Sequence, residues 1–318
     1  MSFKNIKGNS GAIKLLQSGI SKDTLFGAYI FSGPEGIGKM LTAKVLAKAV
    51  NCFEGTIDSC DTCPSCLKIE KGAHPDISII DALGSEIKIE YIRQLQRDIS
   101  LRPYEAKKRV FIINNAHDLN PESSNAFLKT LEEPPKNSLL ILVTSKPGSL
   151  FKTILSRSKT IRFYPLNRQE LEVVLKDSYA LDVQMSHFLA YFSEGSIGKA
   201  LYLKDRDILR EKNRIIDALF SASEGIPENY PENKREDIRG MLDILVSWFR
   251  DIYLVKSGMP EKEMIHLDRK NDILRSVDRY SFPELDGVLS AISNSLLYLG
   301  QNVNTKLLLA NLQLTLKS

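Results

Sequence analysis

The chain has little of what marks a membrane, secreted or DNA-coating protein. No stretch reaches the roughly 18 uncharged apolar residues of a membrane span. The opening residues 1–8 contain no apolar h-region, so secretion is not expected and a cytoplasmic location is. Charge of one sign is also lacking. Lys and Arg number 43 against 39 Asp and Glu, and the net +4 permits contact with DNA without demanding it. Internal repeats and low-complexity tracts are missing as well. With 43% apolar and 26% charged residues, wholesale disorder is excluded. A length of 318 residues predicts roughly two or three domains.

Cysteine is scarce and concentrated. All four, Cys52, Cys60, Cys63 and Cys66, lie in one window with the spacing C-x7-C-x2-C-x2-C. A leaderless chain points to a reducing compartment, where disulfides do not persist. Zinc needs four soft donors at tetrahedral corners about 2.3 Å from the metal, and C-x2-C turns supply them. Unrelated buried thiols would scatter through a core instead. The spacing therefore predicts a structural zinc knuckle over 52–66. Four protein ligands leave no open position for water, so the site staples a loop and does not catalyse.

Over the first 165 residues, short apolar runs alternate with helical patterns. Strands are predicted at Ala28–Ser32, Asp76–Ile80, Val110–Asn114, Leu139–Thr144 and Thr160–Phe163, with helices at Lys39–Val50, Lys88–Ser100 and Pro121–Glu132. Such alternation implies βαβ units and a parallel sheet, with the knuckle inserted after the first crossover helix. From Pro165 the strands stop. Helices are predicted at Asn167–Lys176 and Val183–Phe192, and Ser221–Asp237 reads as a linker. Beyond it, Ile238, Met241, Leu242, Leu245, Phe249 and Ile252 recur at helical spacing. Ser281 and Glu284 form a capping box, and a last helix is expected from about Asn304 to Leu316. The C-terminal third is thus all-helical. Its broad apolar faces suit packing against helices of another chain, with a self-contained bundle as the alternative.

The first strand runs into Gly33, Pro34, Glu35, Gly36, Ile37, Gly38, Lys39 and Met40, which is G-x4-G-K-[ST] in every position but the last. Glycines let successive amides point into one anion hole, the helix N-terminus adds its dipole, and Lys39 reaches the β/γ-phosphates. Met40 breaks the pattern, because a thioether is a poor ligand for Mg²⁺ where a hydroxyl is a good one. After the third strand, Asn114 and Asn115 stand where an active ATPase carries an acidic pair, and amides neither offset metal charge nor accept a proton. Asp118 lies beyond the strand end and reads as a helix-start residue. Phosphate binding is expected to survive; turnover is not.

These elements, with Ser124–Pro135 and Leu155–Ser158, closely resemble the delta-prime family of bacterial DNA polymerase III clamp-loader subunits, within the AAA+ superfamily and beside gamma/tau and replication factor C. The resemblance is strong over about the first 200 residues. It implies an α/β fold: an AAA+ P-loop domain over 1–165 with the zinc-knuckle insertion, a small helical lid over 166–208, and an all-helical collar over 209–318. It also places Thr144, with Ser145 as the other candidate, at the sensor-1 position; a strand-terminal capping hydroxyl is the competing role. Ser156 and Arg157 match the Ser-Arg-Cys motif, with Ser158 replacing cysteine. The resemblance makes Arg157 an arginine finger acting on a neighbour's ATP, a task suited to a permanently charged, bidentate guanidinium. Without the motif, a surface ion pair would be the ordinary reading. Gly198 stands where an ATPase relative places its sensor-2 arginine, and Lys199 falls on a different helical face.

The implied function is a stator in a five-subunit ring with gamma/tau and delta, loading the sliding clamp onto primed DNA, with structural Zn²⁺, with ATP or ADP bound without efficient hydrolysis, and with impaired Mg²⁺ binding. A slow gamma/tau-like ATPase and an independent AAA+ repair protein are the alternatives. Arg93, Arg97, Arg102, Lys107, Lys108 and Arg109 crowd the segment before the third strand and read as a solvated charged face more than a phosphate-binding one. His117 reads as structural; His74, His187 and His266 have no evident partners in sequence.

Overall fold

In the computed structural model, the described residues are 1–55, 57–82, 86–220, 235–301 and 303–317. The chain divides into two compact units, Met1–Val174 with Glu194–Lys199, and Leu175–Ser193 with Ala200–Ser318.

The first unit is built on five parallel strands, β1 (Gly27–Ser32), β2 (Ile77–Ile80), β3 (Arg109–Ile113), β4 (Ser138–Thr144) and β5 (Lys159–Arg162), in the order β2-β3-β4-β1-β5. All five predicted strands form, their ends displaced by a residue. Every residue of β1 and β4 is buried. The period-two alternation of these strands feeds two cores. Tyr29, Phe31, Leu139, Ile141 and Val143 face one, with Leu46 and Val50 of α2 (Lys39–Asn51) and Leu16 of α1 (Ser10–Ser21). Ala28, Ile30, Leu140 and Leu142 face the other. They meet Ile92 and Leu95 of α4 (Ile89–Ile99), Phe127 of α5 (Pro121–Glu132) and Ile154 of α6 (Lys152–Leu155). Burying a side chain the size of Leu46 or Phe127 contributes about 2 kcal/mol. The knuckle, carrying α3 (Pro64–Glu70), lies between α2 and β2.

The register fixes where the site lies. Ser32 pairs with Thr144, and Ile113 with Leu142. The carboxyl ends of β1, β4 and β3 are therefore adjacent, and the loops that leave them meet at one rim, where open α/β sheets bind ligands.

Helices α7 (Arg168–Tyr179) and α8 (Val183–Phe192) follow, then α9 (Ile197–Asp205) and α10 (Ile208–Phe220). Residues 221–234 of the expected linker lie outside the described residues, and its last three, Arg235–Asp237, instead open the 22-residue α11 (Arg235–Lys256). Two acidic residues in that first turn complement the helix dipole. All six apolar residues whose spacing marked this helix are buried. They pack with α10, α12 (Lys270–Val277) and α13 (Phe282–Leu299), and α14 (Thr305–Lys317) covers α13. The capping box at Ser281 and Glu284 closes as its sequence implies. Leu297, Tyr298, Leu307 and Leu314 remain exposed.

A buried polar seam holds residues 264–268 against this helical unit. Asp251 accepts the amides of Ile265 and His266 at 2.7 and 2.9 Å. His187 Nε2 lies 2.8 Å from the Met264 carbonyl, and His266 Nε2 lies 2.9 Å from Ser247 Oγ. Lys212, fully buried, pairs with Asp268 and sits over the Phe188 ring. Both histidines of this unit that sequence left unassigned are core residues.

Candidate functional site

The phosphate loop joins β1 to α2. Gly36 (φ +70°) and Gly38 (φ +94°) occupy the left-handed region that side chains avoid. Lys39 is nearly buried, and its Nζ donates to the Gly33 carbonyl at 2.6 Å and to that of Pro34. Burial pulls its pKa down to about 8, partly offset by the Glu35 carboxylate. Beside it opens a cavity of about 260 Å³, lined by Glu35, Lys39, Met40, Asn114, Asn115 and Ser145 among others. Met40 and both asparagines thus line the place where a Mg-dependent ATPase gathers its oxygen ligands. Asn114 donates from Nδ2 to Asp81 at 2.7 Å, a carboxylate on the next strand's loop that sequence reading passed over.

The two sensor-1 candidates part company. Thr144 is fully buried, its Oγ1 accepting the Lys146 amide at 3.0 Å and lying 3.1 Å from His117 Nδ1. Ser145 lines the cavity and donates to Glu35 at 3.1 Å. His117 is therefore a structural partner of the rim.

The first turn of α9 lies on the phosphate loop. The Gly198 amide donates to the Gly36 carbonyl at 2.8 Å, and Ser196 Oγ donates to the Glu35 carbonyl at 2.9 Å. A Cβ on Gly198 would stand 2.8 Å from Gly36 Cα, and one on Gly36 would stand 2.3 Å from Ser196 Oγ. Two glycines in backbone contact leave no room for an arginine at 198 in this arrangement. Lys199 is turned away, paired with Glu194 at 2.7 Å.

Arg157 sits between α6 and β5 with a third of its side chain exposed, paired with Glu132 at the end of α5. The six basic residues before and in β3 divide. Lys107 donates to the Cys52 carbonyl, Lys108 to Asp23 and the Leu25 carbonyl, and Arg109 to Asp76 and the Asp98 carbonyl. Those three are bound within the fold, although Lys107 is itself exposed, as are Arg93, Arg97 and Arg102.

The four cysteine sulfurs all lie within 4.8 Å of one another, and Cys60 and Cys66 are 4.0 Å apart. Tetrahedral zinc with bonds of about 2.3 Å sets its sulfurs about 3.8 Å apart, so the cluster fits the ion. Amides of Gly55 and Cys60 point at Cys52 Sγ, and that of Cys63 at Cys60 Sγ, as thiolate ligands require. Hydrogen bonds from Thr62 and from the Cys63 amide draw the Cys60 pKa down to about 6, while burial pushes Cys66 up. A metal bound here displaces the Cys66 proton.

Among the described residues no helix is long and apolar enough to cross a membrane. A family model described as DNA polymerase III, delta subunit, matches residues 8–167, and one described as DNA polymerase III, delta subunit, C terminal, matches 208–317. DNA polymerase III subunit delta' of Bacillus subtilis (strain 168) is 29% identical over 317 residues, covering 96% of this chain and 95% of its own. Subunit tau of Escherichia coli (strain K12) is 35% identical over 229 residues, covering 70% of this chain but 36% of tau. A solved gamma subunit-related protein of Thermotoga maritima aligns over 96% of this chain and 98% of its own, at 17% identity and a TM-score of 0.45. With models spanning both the sheet unit and the C-terminal helices, the chain belongs to the DNA polymerase III delta subunit family, as a clamp-loader subunit related to delta' and gamma/tau.

Proposed function

We propose that the chain is a delta-prime-like stator of the clamp loader, which presents Arg157 to ATP on a neighbouring subunit and hydrolyses little or none itself. The observation that carries this reading is the chemistry of the rim. Met40 and Asn114 line the cavity where a hydroxyl and a carboxylate would grip Mg²⁺, and the Asn114 amide is committed to Asp81. Lys39 held by loop carbonyls adds support, because its ammonium is engaged within the loop where a phosphate would otherwise take it. Ser145 lines the cavity whereas Thr144 is buried, so on this reading Ser145 is the sensor-1 hydroxyl beside whatever phosphate the loop amides and Lys39 hold.

On this reading 1–165 is the AAA+ domain, stapled by zinc on Cys52, Cys60, Cys63 and Cys66; 166–208 is the lid and 209–318 the collar. Its partners are gamma/tau and delta in a five-subunit ring, the sliding clamp, and the backbone of primed DNA, all in the cytoplasm. The purified chain, given Mg-ATP, clamp and primed DNA, is expected to release no phosphate above background. Complexes assembled with Arg157→Ala are expected to lose the turnover of one site while the chain's circular dichroism is unchanged. Robust Mg-dependent hydrolysis by the isolated chain would exclude the stator reading.

A further inference from the structure

The cysteine knuckle reaches a distant loop by several separate routes. From α3, Lys68 Nζ meets both carboxylate oxygens of Glu105, at 2.8 and 2.6 Å. Lys107 makes the return contact, donating to the carbonyl of the ligand residue Cys52 at 2.6 Å. Ser65, between Cys63 and Cys66, lies 3.4 Å from His74 Nε2, the longest of the links. His74 Nδ1 in turn accepts the Asp76 amide at 3.2 Å. The buried Asp76 carboxylate then gathers the amides of Tyr104, Glu105 and Ala106 at 2.8, 2.8 and 2.9 Å. Every route ends on residues 101–107, the connection from α4 to β3.

That loop has no regular structure, yet it displays Leu101 and Tyr104, 60% and 84% exposed. A loop carrying exposed apolar tips has no core of its own to fix its shape, so its conformation depends on anchors beneath it. The anchors here are Asp76, immediately before β2, His74 beside Glu105, and two lysine bridges to the knuckle, one from each side. The knuckle is itself a loop insertion that a four-thiolate metal site closes.

We propose that zinc in the knuckle sets the conformation of the 101–107 loop, so that metal loading governs how Leu101 and Tyr104 are presented. The proposal rests on the zinc reading of the four cysteines and is independent of the role of Arg157. Losing the metal frees 52–66, takes the Cys52 carbonyl away from Lys107 and Lys68 away from Glu105, and leaves the loop to Asp76 and to His74, whose Nε2 lies 3.7 Å from Glu105.

Amide hydrogen exchange on the full chain, zinc-loaded and after chelation, reads the three amides bound by Asp76. Exchange at 104–106 faster by about tenfold without zinc, with β4 unchanged, supports the coupling. Protection that persists there after the metal has left overturns it. If chelation also releases β4, the zinc-loaded Lys68→Met, Lys107→Met double variant decides. Faster exchange at 104–106 with metal content unaltered supports the proposal, and unaltered protection sinks it. A chain that purifies with no metal removes the zinc reading and this proposal together, whereas bound zinc with an indifferent loop removes only the proposal.

Discussion

Arg157 and Glu132 are joined through one carboxylate oxygen, Oε1, which accepts from Nε at 2.9 Å and from Nη2 at 2.8 Å. Nη1 is held separately by the Thr153 carbonyl and Ser156 Oγ at 3.2 and 3.3 Å. The Ser-Arg motif and the Leu-Glu-Glu-Pro-Pro stretch, 25 residues apart in sequence, thus meet at one guanidinium. Both partners are well exposed, so the pair is worth less than about 1 kcal/mol to folding. Glu132→Gln and Arg157→Ala should each leave chemical denaturation midpoints nearly unmoved. Only Arg157→Ala should abolish a site in the assembled complex, by a factor on the order of a thousand at that site. Equal losses from both substitutions would mean that the pair acts as one unit, and no loss from Arg157→Ala would remove the finger.

Gly198 offers a test of the closed phosphate loop. An ordinary helical glycine replaced by alanine gains about 0.5–1 kcal/mol, because the unfolded chain loses freedom. Here the new Cβ would meet the Gly36 backbone, its Cα, at 2.8 Å, and that backbone cannot give way as a flexible side chain would. Gly198→Ala is therefore expected to destabilise by roughly 1–3 kcal/mol. Gly198→Arg should cost more and still confer no turnover, since Met40 and Asn114 are unchanged. A stabilised Gly198→Ala in equilibrium denaturation would show that α9 does not rest on the loop in solution.

Much of this was legible in the sequence because it is local. Unbroken apolar runs such as Leu139–Val143 announce doubly covered strands, and the spacing of the cysteines announces their convergence. The apolar spacing of Ala12, Ile13, Leu16 and Ile20 marks α1 as well, ahead of the first strand. What sequence could not give is pairing across long separations. Lys107, Lys108 and Arg109 look like a charged face until each is seen bound to a carbonyl or carboxylate from elsewhere in the fold. Asp76 reads as a strand-start acid, with nothing to show that three amides some 30 residues on would close around it. Whether Thr144 or Ser145 faces the cavity depends on the turn where β4 ends, which strand periodicity does not define.

Asp76 makes a prediction about acid. Burial alone would raise its carboxyl, but bonds from the Glu105 and Tyr104 amides, the Arg109 guanidinium and the Ala106 amide outweigh it and bring the pKa to about 2. Relative to an ordinary 3.8, the depressed folded value contributes roughly 2 kcal/mol, fully present above the unfolded pKa and lost as pH falls through about 2. Asp76→Asn should cost at least that much at pH 7, since its amide nitrogen would face backbone donors. The gap between variant and wild type should close between about pH 4 and 2. A gap independent of pH in denaturant titrations would show that packing, and not charge, is what Asp76 supplies.

His266 predicts a separate acid window in the helical unit. It is fully buried between Trp248 and Phe188, with ring centroids at 5.4 and 5.6 Å, and its Nδ1 has no hydrogen-bond partner among the described residues. Burial, reinforced by Lys212 and Arg269, brings its pKa to about 3, so the folded chain holds it neutral. The unfolded chain binds a proton near 6.5 that the folded chain refuses, and stability on this account is complete above 6.5 and declines as pH falls from there towards 3. Trp248, the chain's one tryptophan, reports on this unit directly. Its fluorescence-detected denaturation midpoint should fall steadily from about pH 6.5 downward, before the loss at Asp76 begins, and His266→Gln should flatten that slope. A midpoint that stays level from pH 7 to 4 would mean that the imidazole accepts its proton in place, with water admitted beside Trp248.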